Sequence, residues 1–273
     1  MVTEVKKVVV EKVEKDDAKE EHAEQLKEME KKVEKSVEKK AVRGDSRKDR
    51  EKTREEEAKE RSLTNWIPKT QLGRDVNKGK ITNIQKIFED NLKIMEPEIV
   101  DKLLDVPSEL IDVGQAKGKF GGGQRRAWRQ TQRKTKEGNV ITFSVMAAVG
   151  DGNGHIGLGT GRAKETLPAK EKAIRKAKLN IQKINLGCGS YDCSCDELHS
   201  IPYKVEGKCS GVVVKLMPAP QGTGLVAGDE LKKILKLAGI KDVYTKTFGP
   251  TKTTINAAKA CMDALGKLGG MKL

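Results

Sequence analysis

Residues 114–165 read GQAKGKFGGGQRRAWRQTQRKTKEGNVITFSVMAAVGDGNGHIGLGTGRAKE, and the rest of the chain is arranged around them. Residues 139–149 (NVITFSVMAAV) are apolar and β-rich, which predicts a buried strand. GDGNG at 150–154 predicts a tight reversal, because Asp-Gly and Asn-Gly tolerate the positive φ that hairpin turns demand. HIGLGTG at 155–161 is the return strand. Its glycines fall at 157, 159 and 161, so one face of that strand is bare backbone. Either a packed helix or a ligand must approach that face closely. The first half of the stretch holds eight cations and no acid: Lys117, Lys119, Arg125, Arg126, Arg129, Arg133, Lys134 and Lys136. GKFGGGQ at 118–124 is too rich in glycine to be regular alone. The expectation is a flexible cationic arm over 125–136 joined to a hairpin, which holds a phosphate backbone against a rigid platform.

Toward the N-terminus, 110–116 (LIDVGQA) predict a first strand. Residues 81–104 show helical spacing at Ile84, Ile87, Phe88, Leu92 and Met95, then at Ile99, Val100, Leu103 and Leu104. Two short helices broken at Pro97 are expected, since proline cannot continue the first. Residues 63–80 read as a linker in which Trp66 and Ile67 form a small anchor; 63–104 is thus linker plus two helices. Residues 1–62 lack aromatics and proline, and their Val spacing is too sparse for a coiled-coil seam. They read as a charged extension, partly helical and largely disordered alone, serving either as an arm threading a large complex or as a tail without a fixed partner.

Toward the C-terminus, 164–184 predict a helix with Ala173, Ala177, Ile181 and Ile184 on one stripe. Lys170, Lys172, Arg175, Lys176, Lys178 and Lys183 decorate the rest, with Glu171 opposing them. A Cys-rich connector at 185–196 follows. Beyond it, YKVEGK and CSGVVVKLM read as adjacent strands, and PAPQGTGLVAG as a long turn. DELKKILKLAG reads as a short helix stopped by Gly239, DVYTKTF as a strand and 251–266 as a final helix.

The 273 residues carry 54 Lys and Arg against 40 Asp and Glu, a net charge of +14. That favours an acidic partner, either nucleic acid or an anionic membrane. Aromatics make up only 3%, so bases stacked on aromatic faces are not the main binding mode; phosphate and shape contacts remain. Residues 1–62 hold 19 basic and 19 acidic side chains, and residues 63–273 hold 35 and 21. The partner surface therefore lies in the folded part. No apolar run approaches the ~20 residues of a spanning helix. Charges at Glu4, Lys6 and Lys7 followed only by VVV do not make a secretory signal. A cytoplasmic location is expected. Five cysteines in a chain of this length do not form a disulfide framework.

Gly152-x-Gly154-x-x-Gly157 matches the dinucleotide fingerprint in spacing, but the fingerprint needs a helix after the turn and here a strand follows. With three His in the chain and no paired-carboxylate site, no catalytic constellation stands out and no enzyme is expected. His155, just after the turn, reads as exposed or phosphate-facing. Cys188-x4-Cys193-x-Cys195-x3-His199 puts four soft ligands within twelve residues. It is a candidate structural zinc site, the alternative being reduced thiols packed at a domain junction. Cys209 and Cys261 read as plain hydrophobes on core faces.

FSVMAAVGDGNGHIGLGTGRAKE (143–165), HSIPYKVEGKC (199–209), KCSGVVVKLMPAPQGTGLVAGD (208–229) and LAGIKDVYTKTFGPTKT (237–253) together closely resemble the small-subunit ribosomal protein-five family in its archaeal and eukaryotic form. The likeness covers about residues 80–268. It implies an α+β fold: a double-stranded-RNA-binding-like domain over 105–184, then a small βαβ-type ribosomal domain over 197–268. It implies a structural component of the small ribosomal subunit that binds small-subunit ribosomal RNA and contributes to decoding accuracy, located in the cytoplasm in the ribosome. The implied neighbours are small-subunit proteins three and four, with no membrane partner, no homo-oligomer, no required cofactor and no catalytic residue. The family's basic hairpin loop corresponds to Arg133, Lys134, Lys136, Glu137 and Gly138; Glu137 stands where bacterial members tend to have another glycine. The RNA-binding set expected is Lys117, Lys119, Arg125, Arg126, Arg129, Arg133, Lys134, Lys136, Arg162, Lys164, Lys172, Arg175 and Lys176. A free double-stranded-RNA-binding regulator is the alternative.

Overall fold

The computed structural model describes residues 63–116, 125–195 and 197–269. Among them the order is α1 (Gln71–Asn77), α2 (Ile84–Glu89), α3 (Pro97–Leu103), β1 (Ser108–Ile111), β2 (Trp128–Thr135), β3 (Gly138–Gly150), β4 (His155–Ala163), α4 (Thr166–Leu179), β5 (Ile181–Lys183), β6 (Val205–Cys209), β7 (Val212–Pro218), β8 (Leu225–Val226), α5 (Asp229–Leu237), β9 (Val243–Phe248) and α6 (Thr254–Gly269). All of them lie in the unit Trp66–Leu273; the other unit, Met1–Asn65, and with it the 1–62 extension, falls almost wholly outside the described residues.

Strand β3 is the spine of the first sheet. Its second half pairs with β1, from Met146↔Ile111 to Val149↔Ser108, and its first half pairs with β2, from Gly138↔Thr135 to Val145↔Trp128. β1 and β2 therefore share one edge of β3, end to end. On the other edge come β4 and then β5, all antiparallel. The second sheet runs β6-β7-β9-β8, with β8 parallel to β9.

The bare face of β4 is covered by helix α4. A methyl placed on Gly157, Gly159 or Gly161 would collide with backbone atoms at Ala177, Ala173 and Ala169 respectively. Small residues on both elements thus let helix backbone lie almost directly on strand backbone. The opposite face of the first sheet, carrying Ile111, Met146, Ala148 and Ile156, shares one apolar core with Leu216, Ile234, Leu235, Cys261 and Leu265 of the second half. Polar links reinforce that junction: Lys233 Nζ donates to Asp112 Oδ2 (2.9 Å), and Asp112 N donates to Glu230 Oε2 (2.7 Å). A second cluster packs α1–α3 against Val149, Ala177 and Ile181. Trp66 joins it and donates its indole N–H to Glu96 Oε2 (2.8 Å), whereas Ile67 is exposed and anchors nothing here.

Several expected elements shift. The first strand is Ser108–Ile111 rather than 110–116, because only those residues face the second half of β3. The helix ends at Leu179, not 184. Ile181 opens β5, which pairs Gly157↔Ile181 through His155↔Lys183. Ile181 packs in the cluster around α1–α3, whereas Ile184, one residue past β5, joins the core shared with the second half, so the spacing that suggested a longer helix is divided between two cores. Two helices do form, but α2 already ends at Glu89 and Pro97 opens α3 rather than breaking the first helix; Leu92 and Met95 are exposed and Ile94 takes the buried place.

Candidate nucleic-acid interface and cysteine–histidine cluster

The basic arm is not loose where it is described. Residues 128–135 form β2, held along their whole length against β3, and Trp128 through Lys134 are all exposed. The hydroxyls of Thr131 and Thr142 lie 2.7 Å apart across the strands, and Thr135 Oγ1 donates to Gly138 O (2.8 Å). The reversal needs only Lys136 and Glu137, because Gly138 adopts φ +123° and takes the one conformation that L side chains rarely adopt. Glu137 is therefore compatible with the turn. Arg125 and Arg126 stand just before β2; the Arg126 carbonyl accepts from Gly114 N (2.8 Å) and closes the neck of the loop between β1 and β2. The Arg126 guanidinium lies 5.9 Å from the centre of the Trp128 ring. Lys117 and Lys119 lie outside the described residues.

Strand register sorts these cations. Arg129 is opposite Ser144, and Ser144 is opposite Arg162, so the two arginines flank a small polar residue in one row across three strands. Alternation places Arg133 on the same face and Lys134 on the other. Gly161, next to Arg162, faces α4, so the arginine row lies on the face away from that helix. Lys164 follows at the bend that leads into α4. Lys172, Arg175 and Lys176 are exposed at i, i+3 and i+4 on α4. The structure thus gathers Arg129, Arg133 and Arg162 on one side and Lys172, Arg175 and Lys176 on another. The row depends on register, which the sequence alone does not reveal.

Other expected partners are engaged elsewhere. Lys178 Nζ sits 2.6 Å from Asp101 Oδ1, and both side chains are about nine-tenths buried. His155 is buried rather than exposed or phosphate-facing. Its Nδ1 lies 2.6 Å from Asp151 Oδ2, and its ring stacks on Phe88 at 5.6 Å. Burial opposes the charge on Asp151, but the His155 ring and the backbone N–H groups of Asn153 and His155 outweigh it and hold the carboxyl below its usual range. The Gly152-x-Gly154 N–H groups donate to Leu237 O (3.0 Å) and Ala238 O (3.1 Å), so this turn caps the C-terminus of α5 instead of cradling a phosphate.

The Cys/His cluster does assemble. The ligand atoms of Cys188, Cys193, Cys195 and His199 all lie within 4.8 Å of one another. Cys188 is carried on a short antiparallel contact in which Gly187 and Ser200 exchange both N–H···O bonds (3.0 and 2.9 Å). His199 is fully buried; its Nε2 is 3.4 Å from Cys193 Sγ and 3.1 Å from Cys195 Sγ. Its Nδ1 is 2.8 Å from Asp242 Oδ2, an ion-pair distance whose angle falls short of a good hydrogen bond. The Gln221 backbone N–H lowers the Cys193 thiol to about 7, and the adjacent Cys193 raises Cys195 to about 12. Cys261 is buried and Cys209 packs against the core from its edge, as hydrophobes do.

Residues 127–185 match the family model described as ribosomal protein S5, N-terminal domain, and residues 207–272 match ribosomal protein S5, C-terminal domain. Small ribosomal subunit protein uS5 of Nanoarchaeum equitans is 50% identical over 213 residues, covering 78% of this chain and 91% of that protein. The uS5 proteins of Staphylothermus marinus (48% identical; 76% and 90% covered) and Methanobrevibacter smithii (47%; 77% and 92%) are similar to it to nearly the same degree. The hairpin and the glycine-faced strand fall inside the first matched segment and all but the first two residues of the second sheet inside the other, and the chain belongs to the ribosomal protein S5 family.

Proposed function

We infer that this chain is a structural, non-enzymatic component of the small ribosomal subunit, and that it holds small-subunit ribosomal RNA through the β2–β3 hairpin and the face of β4 beside it. The observation that carries the reading is the row Arg129–Ser144–Arg162, with Arg133 on the same face of a hairpin that is exposed on both sides. Cations set on paired strands meet phosphates without first giving up the freedom of a loose arm. Such contacts set position and carry no base sequence, which suits an RNA read by shape. Lys172, Arg175 and Lys176 form a second contact surface, for another part of the same folded RNA. The exposed Trp128, Val140 and Ile141 give the hairpin apolar patches for ribose or for a neighbouring protein. The family resemblance supports small-subunit proteins three and four as neighbours, a double-stranded-RNA-binding-like character for 105–184, a small βαβ-type domain over 197–268, a share in decoding accuracy, and no homo-oligomer. RNA binding needs no cofactor.

The test measures affinity for a small-subunit ribosomal RNA fragment against salt. Replacing Arg129, Arg133 or Arg162 by Ala should each flatten the log–log salt slope by about 0.7–0.9. Sedimentation should place the unaltered chain with small subunits. Unchanged slopes would remove the interface; a chain running mostly free of subunits would favour a free RNA-binding regulator.

A further inference from the structure

We propose that Cys188, Cys193, Cys195 and His199 form a structural zinc site that pins the connector between the two sheets. The four residues fall between the segments that match the family models, which end at 185 and resume at 207, so those matches assign them nothing. The reading is independent of RNA binding.

Chemistry selects the ion. Three thiolates and one imidazole are a complete tetrahedral donor set for zinc, with no open position for a substrate, so the site is structural. A Zn–S bond of about 2.3 Å makes the tetrahedron's edge about 3.7 Å. The present spread of up to 4.8 Å closes onto an ion with small side-chain rotations. All three cysteines are free thiols. The histidine already has the orientation of a ligand, with Nε2 toward the sulfurs and Nδ1 toward the Asp242 carboxylate. A carboxylate behind a ligating imidazole fixes its tautomer and strengthens it as a ligand. Asp242 is itself positioned by Gly224 N, which donates to Oδ1 (2.7 Å).

The fold gives the ion something to do. Between β5 and β6 the described chain has no strand or helix, only the Gly187–Ser200 contact. Tyr191 and Leu198 face solvent, so apolar burial contributes little there. A small loop that cannot build a core is the usual setting for a structural metal. The anchor on the other side is firm. His199 O accepts from Lys241 N (2.9 Å) and Asp242 N (3.1 Å), and Ser200 Oγ donates to Asp242 O (2.5 Å). The ion therefore ties the loop 188–195 to the segment that enters β9.

The experiment uses the full chain, purified without a histidine tag and with its thiols reduced. Elemental analysis should find about one zinc ion per chain, and X-ray absorption should show three sulfurs at about 2.3 Å and one nitrogen at about 2.0–2.1 Å. Cobalt(II) added to chelator-stripped chain should give tetrahedral visible bands and thiolate charge-transfer bands, a readout that needs no variant. Cys193→Ser combined with Cys195→Ser should abolish zinc retention, Cys209→Ser should leave it whole, and Asp242→Asn should weaken it about 10–100-fold. The proposal is overturned if the folded, reduced chain takes up neither zinc nor cobalt, if two of the three cysteines prove to be a disulfide, or if the Cys193/Cys195 variant keeps its zinc. None of those results touches the salt slopes, so the two readings fail separately.

Discussion

Replacing Gly159 by Ala puts a methyl where the backbone of α4 already is. The added carbon would meet Ala173 O and Ala177 N and lie 2.8 Å from Lys176 C. All three are helix backbone atoms, so no side chain can rotate away. To restore the ~3.5–4.0 Å separation of non-bonded carbons, α4 must retreat by about 1 Å. A gap of that size forfeits about a quarter to a half of the dispersion energy along the contact, here the seam of Ala169, Ala173 and Ala177. Overpacking typically costs about 1–3 kcal/mol, and a clash with backbone alone belongs at the upper end. At about 2–4 °C per kcal/mol for a unit of this size, the melting temperature should fall by roughly 6–12 °C. Thermal unfolding followed by circular dichroism and by calorimetry measures it. Gly211→Ala is the control: its nearest neighbour is a Pro250 ring carbon at 3.5 Å, an ordinary contact, and it should melt like the unaltered chain. A Gly159→Ala chain melting within about 2 °C of the parent would refute the argument that close backbone approach makes this glycine necessary.

Two further outcomes follow from charges inside the fold. Asp151 has its carboxyl held low by His155 and two backbone N–H groups despite burial. A carboxyl lower in the folded state than in the unfolded one adds stability above its unfolded value, near ~3.9, and loses it as pH drops through the folded value. Urea unfolding from pH 6 down to pH 2 should therefore show a loss below about pH 4 that Asp151→Asn shows less of; equal losses would exclude Asp151 as the source. At the α3–α4 contact, Lys178→Met should cost about 3–5 kcal/mol by stranding Asp101, and adding Asp101→Asn should recover much of it. Additive losses in that double-mutant cycle would mean the pair is not coupled.

What could be read from the chain and what could not divide along a physical line. The turn at 150–154, the helix that opens at Pro97 and the bare face at Gly157, Gly159 and Gly161 are local chemistry, and the structure has them where the residues put them. Ile181 and Ile184 continue the helical spacing of Ala173 and Ala177, and only pairing with the partner strand β4 takes the chain out of the helix after Leu179. Leu92 and Met95 repeat at helical intervals, yet α2 stops at Glu89, beyond which Asn91 takes a positive φ that ends the pattern. His155 looked like a surface residue because its partners, Asp151 in the turn and Phe88 in α2, become neighbours only after folding. For the candidate interface, the cations themselves were plain, but their division between two faces came from register. The Cys/His set was visible because its four members are close in sequence; Asp242 behind His199 was not.

Strand β3 has one more consequence. It is 13 residues long, and its last six are buried while its first four are exposed. At about 3.3–3.4 Å per residue it is a rod of roughly 40 Å, clamped at one end and free at the other. Such a part is a cantilever. A load applied at the Lys136–Glu137 tip cannot be absorbed by a joint, because the ladder is continuous up to the clamp, where the following turn rests on the end of α5. Stiffness of this kind lets the tip keep a set distance from the body while its surroundings shift.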